Sequence, residues 1–227
     1  MENVIVYGIP GSPFTRSALL VLEEKQAPYT LRAIQGGLRG PEHLRRHPFG
    51  RIPVIEHDGF LLYECQAILR YLDRVLPGAS LTPSEPRLAA RMDQLMNIND
   101  WYLFQGVGNV IGFHRIVGPR LLGLTPDEAA IKAAMPSAHR VFDELAHLLA
   151  DSAYLAGAEL TLADLLIAPA LEFLQQTPEW EALTCRHTTL LAWLEKVGQR
   201  PSMAATTWER MSTMCREATS ELSAPTS

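Results

Sequence analysis

The residues best suited to chemistry lie where the first predicted strand gives way to the first predicted helix. Ser12 follows Gly11 and precedes Pro13, an order typical of a helix N-cap with proline in the first turn. A hydroxyl at that position and the unpaired N–H groups of the helix can together stabilise an anion. Tyr7 and Thr15 carry further hydroxyls near the same turn, and a strand aromatic and a helix-start residue are the simpler interpretations of these two.

Hydrophobic periodicity predicts the elements that position this turn. Residues 3–7 are β-branched and aromatic, and residues 29–34 alternate as a second strand. Residues 15–25, between them, have leucines at helical spacing. This β-α-β order opens a parallel α/β unit.

The rest of the chain changes character after about one third of its length. Residues 41–47 form a short stretch that is helical or irregular. The Asp-Gly turn within residues 57–59 predicts a hairpin. An amphipathic helix follows over residues 65–76. Residues 78–87 are rich in proline and serine and predict a linker, after which every pattern is helical. The last seven residues, 221–227, are expected to fray.

Composition excludes several classes of protein. The chain has 227 residues, 47% of them hydrophobic, and a net charge of −5, so a nucleic-acid binder is not expected. No apolar run reaches about 18 residues, so no membrane span is expected, and the N-terminus lacks the pattern of a signal peptide. Three widely spaced cysteines favour a reducing, cytoplasmic location. His43 and His47 lie four residues apart without a third ligand nearby, so no metal is expected.

Several segments, in order and across nearly the whole chain, resemble the soluble glutathione transferases. They are VYGIPGSPFTRS, HPFGRIPVIEHDG, LLYECQAILRYL, LTLADLLIAP and LLAWLEKVGQRPS. The first is similar to the serine-type classes, the phi class and related bacterial enzymes above all. The resemblance implies a thioredoxin-like β-α-β-α-β-β-α domain over residues 1–77. A linker over 78–87 and an all-helical domain over 88–227 would follow.

The resemblance implies that Ser12 is the catalytic residue. The family places there the hydroxyl that stabilises the thiolate of glutathione, the co-substrate. A free thiol has a pKa near about 8.5, so only a small fraction is ionised at neutral pH. Relatives of the thiol type carry cysteine at this position, and serine therefore disfavours a thiol–disulfide oxidoreductase.

The glutathione-binding residues also follow from the resemblance. The bond between Ile52 and Pro53 is cis in the family, and the Ile52 backbone pairs with the cysteinyl part of glutathione. Glu64 and the helix that begins at Cys65 hold the γ-glutamyl group, and cysteine replaces the usual serine there. That cysteine either weakens binding, reacts with oxidants or is a tolerated replacement.

Two arginines and four further side chains complete the expected site. Arg39 and Arg51 are candidates for the glycine carboxylate of glutathione, although each alone also fits surface charge. A hydrophobic electrophile is expected to bind between the domains. Its predicted contacts are Ile9, Phe14, Phe113 and His114.

The resulting hypothesis is a homodimeric glutathione transferase that conjugates glutathione to hydrophobic electrophiles. The same thiolate would also serve a peroxidase, a dehalogenase or an isomerase. A non-catalytic, transferase-like module that binds a partner protein is the alternative from a different class. Intact Ser12, Pro53 and Glu64 argue against it, whereas Cys65 and the unassigned contact to the glycine carboxylate keep it open.

Overall fold

The computed structural model describes residues 3–223, with side chains described for residues 3–220. The chain divides into two compact units. One contains residues up to Ser80 together with those from Gln199 onward, and the other is Leu81–Gly198. No helix within the described range is both long and apolar enough to cross a bilayer.

The first unit is built around a four-stranded mixed sheet. Its elements are β1 (Val4–Gly8), α1 (Pro13–Glu24), β2 (Tyr29–Ala33), α2 (Pro41–Arg46), β3 (Val54–His57), β4 (Phe60–Tyr63) and α3 (Cys65–Val75). The strand order is β2-β1-β3-β4, with β1 parallel to β2 and the other neighbours antiparallel. The predicted thioredoxin-like order is confirmed, including the hairpin, whose Asp58 and Gly59 both have positive φ.

The core of this unit lies where α1 packs against α3 and the sheet. Val4 and Val6 of β1 are fully buried, as are the leucines of α1 and the apolar stripe of α3. An ion pair is buried beside this core, with Lys25 Nζ 2.8 Å from Asp73 Oδ1. Lys25 Nζ also donates to the Ala79 carbonyl oxygen at 2.7 Å. The end of α1 is thereby tied to the chain that leaves α3.

The second unit is entirely helical apart from its loops and an isolated bridge. Its elements are α4 (Pro86–Ile98), a π-helix π1 (Asn99–Val117), α5 (Gly118–Leu122), α6 (Glu128–Leu149), α7 (Leu162–Leu174), α8 (Trp180–Thr184) and α9 (Thr188–Gly198). The sequence predicts helical structure throughout this region, and the structure changes from α-helical to π-helical hydrogen bonding at Asn99. Three glycines within π1 weaken the preference for the tighter α-helix.

Two further helices, α10 (Pro201–Ala205) and α11 (Trp208–Ser223), belong to the first unit. Helix α10 packs against α1, and α11 packs along the edge strand β2. Met211, Cys215 and Ala218 form the buried stripe of α11. The sequence assigns residues 199–227 to the helical domain, so the two divisions differ there. The structure places these residues in the first unit because α11 covers the edge strand β2. Without such a cover, an edge strand exposes unpaired backbone groups.

The predicted frayed tail, residues 221–227, is only partly within the described range. Residues 221–223 continue α11, and residues 224–227 lie outside the described residues.

Candidate functional site

Ser12 occupies the N-cap of α1, as its sequence context predicts. Its Oγ accepts a hydrogen bond from the Thr15 backbone N–H at 3.3 Å, and its own N–H donates to the Ile9 carbonyl oxygen at 3.1 Å. Gly11 has φ +84°, and a Cβ there would lie 2.8 Å from the ring of Trp208. Since Oγ is used as an acceptor, the Ser12 hydroxyl hydrogen is available to an anionic ligand.

The two rival hydroxyls are placed differently. The Tyr7 hydroxyl donates to Glu56 Oε2 at 3.0 Å, and the side chain is almost fully buried. Thr15 is fully buried, and its Oγ1 has no hydrogen-bond partner among the described residues. Neither hydroxyl combines partial exposure with a helix N-terminus as Ser12 does.

The start of α3 lies beside the start of α1. Cys65 Sγ donates a weak hydrogen bond to the Phe14 carbonyl oxygen at 3.7 Å. Glu64, the N-cap residue, has φ 72° and ψ 113°, and its side chain does not cap the helix. A positive φ in a residue other than glycine is strained, and such strain clusters at ligand sites. Two helix N-termini, each favourable to negative charge, therefore adjoin one another.

The segment before β3 has the backbone shape expected from the resemblance. The Ile52–Pro53 peptide bond is cis. No backbone hydrogen bond joins Ile52 to another residue in the described range, because the pairing of β3 begins at Val54. The backbone groups of Ile52 can therefore bind an extended peptide.

A buried histidine pair supports this segment, and the sequence analysis gave it no functional role. His43 Nε2 lies 2.8 Å from the Arg51 carbonyl oxygen, and the side chain is fully buried. The ring of His47 lies 4.7 Å from the ring of Tyr63. Burial lowers the pKa of His47, as do His43 and Arg51, whereas the negative charge of Glu64 acts in the opposite direction. The signal in the sequence is the four-residue spacing of the histidines.

The two predicted arginines are both exposed. Arg39 Nη1 donates to the Phe49 carbonyl oxygen at 3.4 Å, next to Gly50. Arg51 directly precedes Ile52 and is held through its carbonyl oxygen by His43. These contacts join the loop before α2, and α2 itself, to the segment before β3 in the first unit.

The predicted electrophile contacts divide between the units. Ile9 and Phe14 are partly exposed residues of the first unit. Phe113 and His114 lie in π1 of the second unit, with ring centroids 5.3 Å apart. His114 Nδ1 accepts a hydrogen bond from the Asp127 N–H at 3.3 Å. Within the described residues, no cluster of three or more histidine, cysteine or acidic side chains is arranged to hold a metal ion.

Comparison with known proteins agrees with this fold. The family model described as "Glutathione S-transferase, N-terminal domain" matches residues 6–80, and "Glutathione S-transferase, C-terminal domain" matches residues 107–201. Glutathione S-transferase F7 of Arabidopsis thaliana is 29% identical over 89% of this chain and 98% of its own length. Glutathione S-transferase 4 of Zea mays is 30% identical over 88% and 89%.

A solved structure shows the same architecture. The apo form of glutathione S-transferase III superposes with a TM-score of 0.80 at 30% identity, covering 90% of this chain and 95% of that one. A thioredoxin-like domain followed by a helical domain is therefore the class of fold. The chain belongs to the glutathione S-transferase family.

Proposed function

We propose that this glutathione S-transferase activates the thiol of glutathione with Ser12. The observation that supports this most directly is the partly exposed Ser12 hydroxyl at the N-terminus of α1, beside the N-terminus of α3. Lowering the pKa of a thiol by about two units requires roughly 2.7 kcal/mol of differential stabilisation. A hydroxyl donor together with a helix N-terminus can supply that amount.

The remainder of glutathione is proposed to lie along the first unit. The backbone of Ile52, next to Pro53, pairs with the cysteinyl part. Glu64 pairs with the γ-glutamyl ammonium, while the N–H groups at Cys65 hold its carboxylate. Arg39 and Arg51 are proposed to bind the glycine carboxylate, because both are exposed and their loops contact one another. Guanidinium groups suit carboxylates.

The second substrate is proposed to be a hydrophobic electrophile, and Ile9 and Phe14 are its proposed contacts in the first unit. Their apolar and aromatic character supports this choice. We further propose a cytoplasmic homodimer. The three free cysteines support the cytoplasmic location, and the homodimers typical of the family support the dimer. Light scattering on the purified protein measures the dimer directly.

Substitution of Ser12 tests the central proposal. The Ser12→Ala variant should still bind glutathione in calorimetry. Its bound thiol should have a pKa about two units higher, followed through the ultraviolet absorbance of the thiolate. The value of kcat/KM with an activated aryl halide should fall on the order of tenfold or more at neutral pH.

Ser84→Ala, at an exposed serine, is the matched control and should resemble the wild type. An unchanged thiol pKa and an unchanged kcat/KM in Ser12→Ala would overturn the role of Ser12. No heat with millimolar glutathione in the wild type would overturn binding itself.

A further inference from the structure

A cavity of about 190 Å³ lies beside β2 in the first unit. The residues that line it include Tyr7, Arg32, Gln35, Glu42, Arg46 and Thr219. None of the residues proposed to hold glutathione is among them. The volume is several times the roughly 30 Å³ that one water molecule occupies in the liquid. It therefore has room for a small ionic group.

Arg32, on the edge strand β2, lines this cavity and has a buried donor without an acceptor. Its partner in the parallel register is Tyr7, so both side chains lie on the same face of the sheet. The Arg32 Nε atom is buried and has no hydrogen-bond partner among the described residues. A guanidinium group is charged at all physiological pH values, and a buried donor without an acceptor is costly. Arg32 thus brings to the cavity lining a cation whose buried Nε–H has no acceptor.

Arg46 provides a second guanidinium at the same cavity. It stacks over the ring of Tyr7, with Cζ 4.3 Å from the ring centroid, and Nη2 donates to Glu42 Oε1 at 2.7 Å. Both nearby carboxylates already have donors, since Glu42 accepts from Arg46 and Glu56 accepts from the Tyr7 hydroxyl. Neither carboxylate accepts a hydrogen bond from the Arg32 Nε–H.

The available donors favour one class of anion. The two guanidinium groups and the Gln35 amide line the cavity from β2, from α2 and from the segment after β2. The Thr219 hydroxyl donates to the Cys215 carbonyl oxygen, so it adds no further donor. Donors on three different elements suit the several oxygens of a phosphate better than the two oxygens of a carboxylate.

We propose that this cavity is a second, phosphate-binding site, in which Arg32 and Arg46 hold inorganic phosphate or the phosphate group of a small monoester. The site is separate from the glutathione site, and binding there does not depend on Ser12. Phosphate in the cavity would neutralise the Arg32 guanidinium, whose buried Nε–H has no acceptor of its own. Because the lining includes α2 and α11, an occupied site would also join the helices on this side of the sheet.

The test follows the arginine Nε–H signals by NMR while inorganic phosphate replaces chloride at constant ionic strength. The Arg32 signal should shift and saturate, whereas the signal of Arg74, an exposed arginine of α3, should not saturate. In calorimetry, Arg32→Gln should weaken phosphate binding by at least about tenfold, and Arg74→Gln should leave it unchanged. Glucose 6-phosphate in a parallel titration distinguishes an ester from free phosphate.

Two results would contradict the proposed phosphate site. Shifts of Arg32 and Arg74 that are alike and do not saturate would overturn the site. Saturation by acetate but not by phosphate would overturn the choice of ligand. Glutathione binding by Arg32→Gln should equal that of the wild type and confirms that this variant is folded. If Arg32→Gln is unfolded, Arg46→Gln replaces it, with the same expected loss of phosphate binding.

Discussion

Cys65 stands at the first turn of α3, where the sulfur atom donates only a weak hydrogen bond to the Phe14 carbonyl oxygen. A thiol is a poorer donor than a hydroxyl, so this position offers an anionic ligand less than a serine would. In the proposed binding mode, the backbone N–H groups of the helix N-terminus would then provide most of the stabilisation.

Replacing Cys65 with serine should therefore tighten glutathione binding by a few-fold, up to about tenfold, or roughly 1.4 kcal/mol. Calorimetric titration measures the change, and Cys185→Ser, at an exposed cysteine of the second unit, is the control. Equal or weaker binding by Cys65→Ser would mean that the side chain at this position does not contact the ligand.

His47 makes the stability of the first unit dependent on pH. Burial holds its pKa below the ordinary value, so the folded protein favours the neutral imidazole. The unfolded chain takes up the proton near its ordinary pKa of about 6.5. The free energy of unfolding should therefore fall as the pH decreases through about 6.5, and the loss should end below the folded pKa.

Denaturant unfolding between about pH 7.5 and about pH 5.5 measures this loss. His47→Asn should lose less stability over that interval than the wild type, because it removes the titrating group. His147→Asn, at an exposed histidine of α6, should follow the wild type. Identical slopes for His47→Asn and the wild type would contradict a shifted pKa in the native state.

At the scale of elements, one carboxylate organises the helical unit. Asp164 Oδ1 accepts from the Leu155 N–H at 2.9 Å and from Trp193 Nε1 at 2.8 Å. Its Oδ2 accepts from the Thr161 N–H and the Thr161 hydroxyl, both at 2.8 Å. The start of α7, the preceding loop and α9 are held by this single buried group.

Asp164→Asn should lower the free energy of unfolding of the second unit by about 2–4 kcal/mol, since an amide NH₂ would face donors that need an acceptor. Thermal or urea unfolding measures the effect. Asp151→Asn, at an exposed aspartate in the loop after α6, should change stability by less than about 0.5 kcal/mol. A similarly small effect at Asp164 would show that the carboxylate is not needed as an acceptor.

At the scale of the whole chain, the last two helices, α10 and α11, pack within the first unit. Met211 is fully buried where α11 covers β2, and Leu145 is fully buried in α6. These two residues belong to different units, although both lie in the range that the sequence assigns to one helical domain.

Met211→Ala and Leu145→Ala should each lower the free energy of unfolding by about 2–5 kcal/mol. The first should destabilise the first unit, and the second should destabilise the second unit. Hydrogen exchange should become faster in β1 and β2 for Met211→Ala, and in α6 and α7 for Leu145→Ala. Faster exchange in α6 and α7 for both variants would contradict the assignment of α11 to the first unit.

The elements from β1 to α3 and the resemblance to glutathione transferases could be predicted from the sequence by itself. Local signals are strong there. The Asp58-Gly59 turn, the serine and proline at the start of α1, and the period-two and helical patterns each depend on neighbouring residues. The resemblance to the family also implies the cis bond at Pro53, which the structure has.

Other features depend on the tertiary structure, because they join residues far apart in the chain. The ring of Trp208 against Gly11, the cover of α11 over β2 and the unsatisfied Nε of Arg32 have no local signal. Helical periodicity indicates that a face of α11 is buried, but it does not indicate which surface buries it. Only the packed chain decides that, since the edge strand β2 ends at Ala33 and the helix that covers it begins only at Trp208.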